Sequence, residues 1–169
     1  MPCHQLFTRA EPATAAQIAA LEQALGATLP ADFRAHLLRY GGGERVPFYE
    51  YDGLNVDAIL SRWQGLEELR ESGTFAKAKP HELSQGPREV QFQWWHRGWV
   101  PFAEDGGGNL YCVDLDPDLN GRRGQVIAWE MHSGPVGPYA GSFADFLGKY
   151  VERLESGDYR GEGTSIVRD

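Results

Sequence analysis

Acidic side chains cluster in the segment 99–117, where their chemical types would suit acid–base catalysis. This segment contains Glu104, Asp105, Asp114 and Asp116. Paired carboxylates of this kind can hydrolyse glycosidic bonds, with one group as the acid and the other as the base or nucleophile. Asp105 also precedes a run of glycines, a position where aspartate commonly stabilises a turn. A carboxylate-based hydrolase is therefore compatible with the sequence, although solvated turn residues are the simpler interpretation.

Two other patterns resemble metal sites without completing them. Residues 116–121, DPDLNG, match the first six positions of a calcium loop, but Ile127 stands at the twelfth position in place of the bidentate glutamate. The five histidines include no HExxH pair and no CxxC partner, which are the usual zinc spacings. We therefore predict an Asp-rich turn at 116–121, with no metal and no cofactor.

Nucleophile and phosphate-binding motifs are also incomplete. Cys112 stands inside an apolar stretch of strand-like composition, which is typical of a small core residue and not of a catalytic thiolate. The glycine runs 41–43 and 106–108 lack the Lys-Ser/Thr pair that completes a phosphate-binding loop. Turns and helix ends explain both runs. We predict that the protein is not an enzyme.

Aromatic and charged side chains instead favour binding to another protein. A stacking platform for nucleic acid needs a basic groove, and the formal net charge is −8, which argues against nucleic-acid and anionic-membrane binding. The same charge complements a basic protein, and Trp and Arg are enriched at interface hot spots. The predicted partner-binding residues are Glu104, Asp105, Asp114, Asp116, Asp118, Trp94, Trp95 and Arg97.

Length and composition are those of a single globular domain. The chain has 169 residues, of which 41% are hydrophobic, enough to build a core without disulfides. No stretch approaches the roughly 18 apolar residues that span a bilayer, and the N-terminus has no apolar segment of signal-peptide type. Cys3 and Cys112 are too few for a disulfide framework, so we expect free thiols. Together these observations predict a cytoplasmic protein.

Hydrophobic periodicity predicts four helices. The first begins at Thr14 and ends at Gly26, with apolar residues at helical spacing between them. A second begins at Pro30 and ends at the glycines 41–43. A third, capped by Asp57, continues to Ser72-Gly73, and Ser142 caps a fourth that ends at Gly157.

The remaining segments alternate between strand and loop composition. We predict strands at 46–54, on both sides of the glycines 106–108, and at 125–131, where apolar residues on both faces indicate a central strand. Segment 74–91 reads as a long loop and 133–141 as a Gly- and Pro-rich connection. The result is an α+β fold with a mainly antiparallel sheet of about four to six strands and about four helices. We expect one domain over 1–157 and a polar tail over 158–169, in which 166–167 could add an edge strand.

Four blocks of these elements, in this order, resemble the SUKH superfamily, which includes the yeast Smi/Knr cell-wall-assembly regulators and many bacterial immunity proteins. The blocks are Leu25-Gly26, residues 29–33 (LPADF) with 40–43 (YGGG), residues 99–117 from WVPFA to DLDP, and residues 142–147 (SFADFL). Each block is short, but their order makes the resemblance specific.

The resemblance implies an α+β binding scaffold without known enzymatic chemistry. Bacterial members resemble cytoplasmic antidotes that bind a toxin domain, often a nuclease, whereas the yeast members are regulatory interaction hubs with long disordered flanks. Because no such flanks are present in this sequence, we expect an immunity-type protein that neutralises a toxin with a basic surface. A regulatory or small-ligand-binding scaffold of the same fold is the alternative, and the carboxylate-based hydrolase is the third hypothesis.

Overall fold

The computed structural model describes residues 11–42, 47–80, 88–162 and 165–168, and this part of the chain contains four helices and eight strands. The helices are α1 (Ala15–Leu25), α2 (Ala31–Tyr40), α3 (Val56–Glu71) and α4 (Phe143–Glu155). The strands are β1 (Pro47–Phe48), β2 (Tyr51–Gly53), β3 (Trp99–Glu104), β4 (Leu110–Asp114), β5 (Val126–Glu130), β6 (Gly134–Ala140), β7 (Tyr159–Glu162) and β8 (Ser165–Arg168). The predicted α+β class is confirmed.

Side-chain caps fix the starts of α1, α3 and α4, whereas α2 follows Pro30 without a side-chain cap. Thr14 and Gln17 form the predicted capping box at α1, and Gly26 ends that helix in the left-handed conformation with φ 65°. Ser142 caps α4 by accepting the Asp145 N–H. The prediction for α3 is wrong by two residues: its cap is Asn55, whose side-chain oxygen accepts an N–H three residues further on.

The large sheet is antiparallel throughout, and its strands follow chain order from β1 to β6. The hairpin formed by β3 and β4 pairs Val100 with Val113, and its register shifts between Pro101 and Ala103. Strand β5 lies between β4 and β6, which confirms the central position predicted for it. Antiparallel order with short connections explains why neighbours in sequence are neighbours in space.

Two strand predictions need correction. Segment 46–54 is not one strand: within its described residues the chain reverses at Tyr49, which has a φ of 54°, so β1 and β2 form a hairpin. Segment 133–141 contains β6, a strand that its Gly- and Pro-rich composition did not predict. Strand β6 lies at the edge of the sheet, where Pro135 and Pro138 are tolerated because an edge strand has N–H groups that need no partner strand.

The remaining segments were less regular in composition. Of the predicted loop 74–91, residues 74–80 and 88–91 contain no helix or strand, and residues 81–87 lie outside the described part of the chain, as does Cys3. In the C-terminal segment, β7 and β8 pair as a separate two-stranded sheet. Residues 166–167 therefore lie in a strand, but this strand pairs with β7 and not with an edge of the large sheet. This hairpin packs near α4 and β1.

Tryptophans fill one face of the large sheet. The ring centroid of Trp95 lies 5.7 Å from that of Trp99 and 5.8 Å from that of Trp129, both with edge-to-face geometry. Helix α3 covers this face, and Trp63 on it donates its indole N–H to the carbonyl oxygen of Arg97 at 2.9 Å. These contacts fix the segment before β3 against the helix.

Phenylalanines fill the opposite face. Phe102 on β3 packs against Phe33 of α2 and against Phe143 and Phe146 of α4, with ring centroids 5.2–5.9 Å apart. Tyr111 on β4 joins this group 5.2 Å from Phe146. The central strands β3, β4 and β5 are therefore buried on both sides. Within the described residues, no helix is both long and apolar enough to cross a membrane.

Candidate functional site

Asp105 forms a rigid acidic turn at one end of the β3–β4 hairpin. One of its carboxylate oxygens accepts the N–H groups of Gly107 at 2.8 Å and Asn109 at 3.0 Å, and the other accepts the Asn109 side-chain amide at 2.7 Å. Partial burial raises the pKa of Asp105, but these hydrogen bonds outweigh burial and hold that pKa below its usual value. The exposed carboxylate is therefore ionised and fixed in direction.

Glu104 lies next to this turn but is paired within the molecule. The Arg62 side chain of α3 donates to its carboxylate through Nε at 3.0 Å and through a second guanidinium nitrogen. The pair borders a groove of about 380 Å³ between α3 and the sheet, with Leu54 and Leu69 among its lining residues. Glu104 is thus less available to a partner than Asp105.

Asp114 is fully buried, so it cannot touch a partner in this structure, contrary to its predicted role. Its carboxylate accepts the Asp116 N–H at 3.0 Å and the Gln125 side-chain amide at 2.9 Å. The same Gln125 amide donates to the Glu89 carbonyl at 2.8 Å, and its oxygen accepts the Arg122 N–H. Burial raises the pKa of Asp114 to about 6 despite these hydrogen bonds. The network joins β4 to two loops.

Asp116 and Arg97 are exposed at the other end of the hairpin, where Gly98 and Asp116 are in close contact. The Asp116 carboxylate lies 3.6 Å from Nε2 of His96, whose pKa is lowered by burial more than the Asp116 charge raises it. Asp118 follows in the turn and accepts the Leu119 N–H at 2.8 Å. This end of the hairpin therefore carries exposed side chains of both charge signs, Asp116 and Arg97.

The two predicted tryptophan anchors differ in accessibility. Trp95 is buried at 2% exposure, and its indole N–H donates to the Glu67 carboxylate at 2.9 Å, so it is a core residue and not a contact residue. Trp94 is half-buried beside Trp129, which donates to its carbonyl oxygen. Of the pair, only Trp94 offers surface to a partner.

The hairpin separates the acidic residues into two groups instead of joining them. Trp99 pairs with Asp114 at one end of the hairpin, and Glu104 pairs with Leu110 at the other. At about 3.3 Å per residue, the ends are roughly 16 Å apart. Glycosidases hold their two carboxyl groups about 5–10 Å apart, so acids from opposite ends do not form such a pair. Cys112 between them is buried, and burial raises the pKa of its thiol.

Two buried polar residues, Glu67 and Gln125, were absent from the predicted site. Each makes a hydrogen bond to a predicted site residue, Glu67 to Trp95 and Gln125 to Asp114. Glu67 lies four residues after Trp63 and eight after Ile59, so an acidic residue on the apolar face of α3 was a detectable signal. Gln125 begins an apolar strand, where a buried amide needs partners, but the sequence does not identify them.

Helices pack on both faces of a six-stranded antiparallel sheet, and charged turns lie at the ends of its central hairpin. These features define the class as an α+β protein. The family model of the SMI1/KNR4 family (SUKH-1) matches residues 12–149. The chain belongs to this family, as its sequence blocks indicated.

Individual relatives come from fungi and bacteria. The chain is 31% identical to the cell wall biosynthesis/cell cycle regulator smi1 of Schizosaccharomyces pombe, with 87% of this chain and 32% of that protein aligned. It is 23% identical to the cell wall assembly regulator SMI1 of Saccharomyces cerevisiae, over 96% of this chain and 41% of that protein. The chain thus spans about a third to two fifths of the length of these fungal relatives.

A bacterial relative aligns over most of its own length. The SPbeta prophage-derived uncharacterized protein YokK of Bacillus subtilis is 26% identical, with 89% of this chain and 81% of that protein aligned. The names of the fungal relatives describe regulators, and none of the three names describes an enzyme.

Proposed function

We propose that this protein is a cytoplasmic immunity-type protein that binds a toxin domain with a basic surface and blocks its activity. The observation that carries the proposal is the Asp105 turn, an ionised carboxylate held by three hydrogen bonds at an exposed end of the central hairpin. A carboxylate fixed before binding loses little conformational freedom when a Lys or Arg of the partner approaches.

Family membership and overall charge support the same function. The SMI1/KNR4 family includes the bacterial protein of similar extent described above as well as the fungal regulators. A net charge of −8 accelerates encounter with a basic protein, and exposed carboxylates at the rim of an interface act mainly on the association rate. Asp116 and Asp118 extend the acidic surface at the far end of the hairpin. Arg97 and Trp94 belong to the residue types that are enriched at interface hot spots.

The test is to search the genes that flank this one for a toxin domain and to co-express that domain with this protein in a bacterial host. We expect growth to be restored and a stable complex to elute in size-exclusion chromatography. Failure of both results would reject this toxin as the partner and leave the immunity function unsupported.

Single-charge variants test the surface. Asp105→Asn removes the charge but keeps an oxygen that can accept the Gly107 and Asn109 N–H groups. We expect the association rate with the toxin to fall severalfold at low salt, with a smaller effect at high salt. The matched control is Glu68→Gln, an exposed acid on α3, which should leave the rate unchanged. Equal effects from both variants would mean that only the net charge matters.

A further inference from the structure

A second pocket, distinct from the hairpin ends, lies between α4, the large sheet and the C-terminal hairpin. Its volume is about 250 Å³, and four tyrosines supply most of its aromatic lining: Tyr49, Tyr111, Tyr139 and Tyr159. They come from the β1–β2 turn, β4, β6 and β7, so only the tertiary fold brings them together. The space suits one small ring with a substituent, since pockets for drug-sized ligands have volumes of about 300 Å³ or more.

The aromatic lining is packed tightly enough to keep its shape. The ring centroids of Tyr49 and Tyr159 are 5.4 Å apart, and those of Tyr111 and Tyr139 are 5.7 Å apart, in edge-to-face arrangements. Phe146 of α4 lies 5.2 Å from Tyr111 and closes the base. Such a surface offers ring faces and edges to a planar ligand without rearranging.

The phenol groups are available as hydrogen-bond donors. The hydroxyls of Tyr49, Tyr111 and Tyr139 make no hydrogen bond to any residue whose side chain the structure describes. Burial raises the pKa of Tyr49 and of Tyr111, so both remain protonated at neutral pH. A protonated phenol in a partly dry pocket favours an acceptor, above all an oxyanion.

The charge of the lining has the opposite sign to the charge of the protein. Lys149, Arg153 and Arg168 line the pocket, and among the described lining residues there is no carboxylate, although the chain as a whole carries −8. Lys149 contacts Asp145 at 3.0 Å and Arg153 pairs with Asp158, but all four side chains are 40–59% exposed. Exposed pairs of this kind contribute little free energy, so an incoming anion can compete for the cations.

We propose that this pocket binds a small oxyanion that carries one planar ring, of the aryl phosphate or aryl carboxylate class. The ring packs on the tyrosines and Phe146, and the oxyanion accepts hydrogen bonds from the phenols and from Lys149 or Arg153. An aromatic cage can also bind a cation through the ring faces, but three cationic side chains in the lining oppose that alternative. This binding site is separate from the proposed toxin-binding surface, so either can fail without the other.

Phenyl phosphate is the probe, titrated into the full chain while amide resonances are followed by NMR. We expect shifts at Tyr139, Lys149 and Arg153 that saturate at millimolar concentration or below. Inorganic phosphate and phenol, which each lack one half of the ligand, should bind more weakly. Absence of shifts at these residues, or tighter binding of the trimethylanilinium cation than of phenyl phosphate, would overturn the proposal.

Variants locate the site. Arg153→Gln removes one cation and should weaken phenyl phosphate binding about tenfold, the usual effect of losing a hydrogen bond to a charged group. The matched control is Arg122→Gln, an exposed arginine outside the pocket, which should bind like the wild type. Tyr139→Phe removes only a hydroxyl from a half-exposed ring and covers the case that Arg153→Gln misfolds. Wild-type affinity in Tyr139→Phe and in folded Arg153→Gln would contradict the assignment.

Discussion

The Gln125 side-chain amide donates to Oδ2 of the buried Asp114 carboxylate at 2.9 Å, and neither residue can change its partner freely. The Gln125 amide is fixed at both ends by backbone groups, the Glu89 carbonyl and the Arg122 N–H. Oδ1 of Asp114 faces the Asp116 N–H. Asp114 is therefore surrounded by donors, and only a group with two acceptors satisfies all of them.

Asp114→Asn should destabilise the protein at pH 4, where the buried Asp114 carboxyl group is mostly protonated, although the change is nearly isosteric. In either orientation the new NH₂ group faces a donor, either the Gln125 amide or the Asp116 N–H. An unsatisfied buried donor costs about 1–3 kcal/mol, and at neutral pH the removal of a buried charge offsets this cost. Urea unfolding at pH 4, monitored by circular dichroism, measures the difference. Stability equal to that of the wild type at pH 4 would show that the new NH₂ group finds an acceptor.

Asp114 should also give the protein a distinctive pH dependence. Its pKa is about 6 in the folded protein against 3.8 for the ordinary group, so the folded state binds the proton more tightly. Its contribution to stability is therefore fully present below pH 3.8 and is lost as pH rises through 6. The wild-type minus Asp114→Asn difference in unfolding free energy, measured from pH 4 to 7, should fall by up to about 3 kcal/mol. A flat difference would contradict the raised pKa.

Substitutions at Glu67 should separate hydrogen bonding from charge. Glu67→Leu leaves the buried indole N–H of Trp95 without an acceptor, at a cost of about 1–3 kcal/mol. Glu67→Gln keeps an oxygen for that N–H and loses mainly the partly exposed contact with Arg70, so it should cost about 1 kcal/mol or less. Chemical unfolding followed by tryptophan fluorescence compares the two variants. A similar loss in both would assign the effect to the ion pair.

The Ser142 cap should contribute measurably to α4. Ser142→Ala removes the oxygen that accepts the Asp145 N–H, and such changes cost about 1 kcal/mol. Ser61→Ala is the matched control, because Ser61 is an exposed serine within α3. Thermal unfolding should show a lower midpoint for Ser142→Ala and little change for Ser61→Ala. Equal midpoints for Ser142→Ala and the wild type would mean that water replaces the cap.

The Cys112 thiol should be unreactive until the protein unfolds. It is fully buried, and burial raises its pKa, so little thiolate is present or accessible. In a Cys3→Ser background, a thiol reagent such as Ellman's reagent should label Cys112 slowly under native conditions and rapidly in denaturant. Fast labelling of the folded protein would indicate local opening of the hairpin.

The sequence by itself determined the local features of this protein. Short-range patterns predicted the capping box at Thr14, the end of α1 at Gly26 and the cap at Ser142, because these structures depend on residues three or four positions apart. It also determined the α+β class and the family, since ordered apolar blocks survive as a recognisable pattern. The edge strand β6 escaped prediction because its prolines lower strand propensity and only its place in the sheet permits them.

Only the tertiary structure decided which acidic and aromatic residues face solvent. Asp114 and Asp116 differ by two positions and have the same side chain, yet one is buried and the other exposed, because β4 ends between them. Trp94 and Trp95 diverge in the same way, since Glu67 of a distant helix holds the second indole inside. Burial depends on long-range packing, which sequence spacing does not encode. The tyrosine pocket arises for the same reason, from residues that lie far apart in the chain.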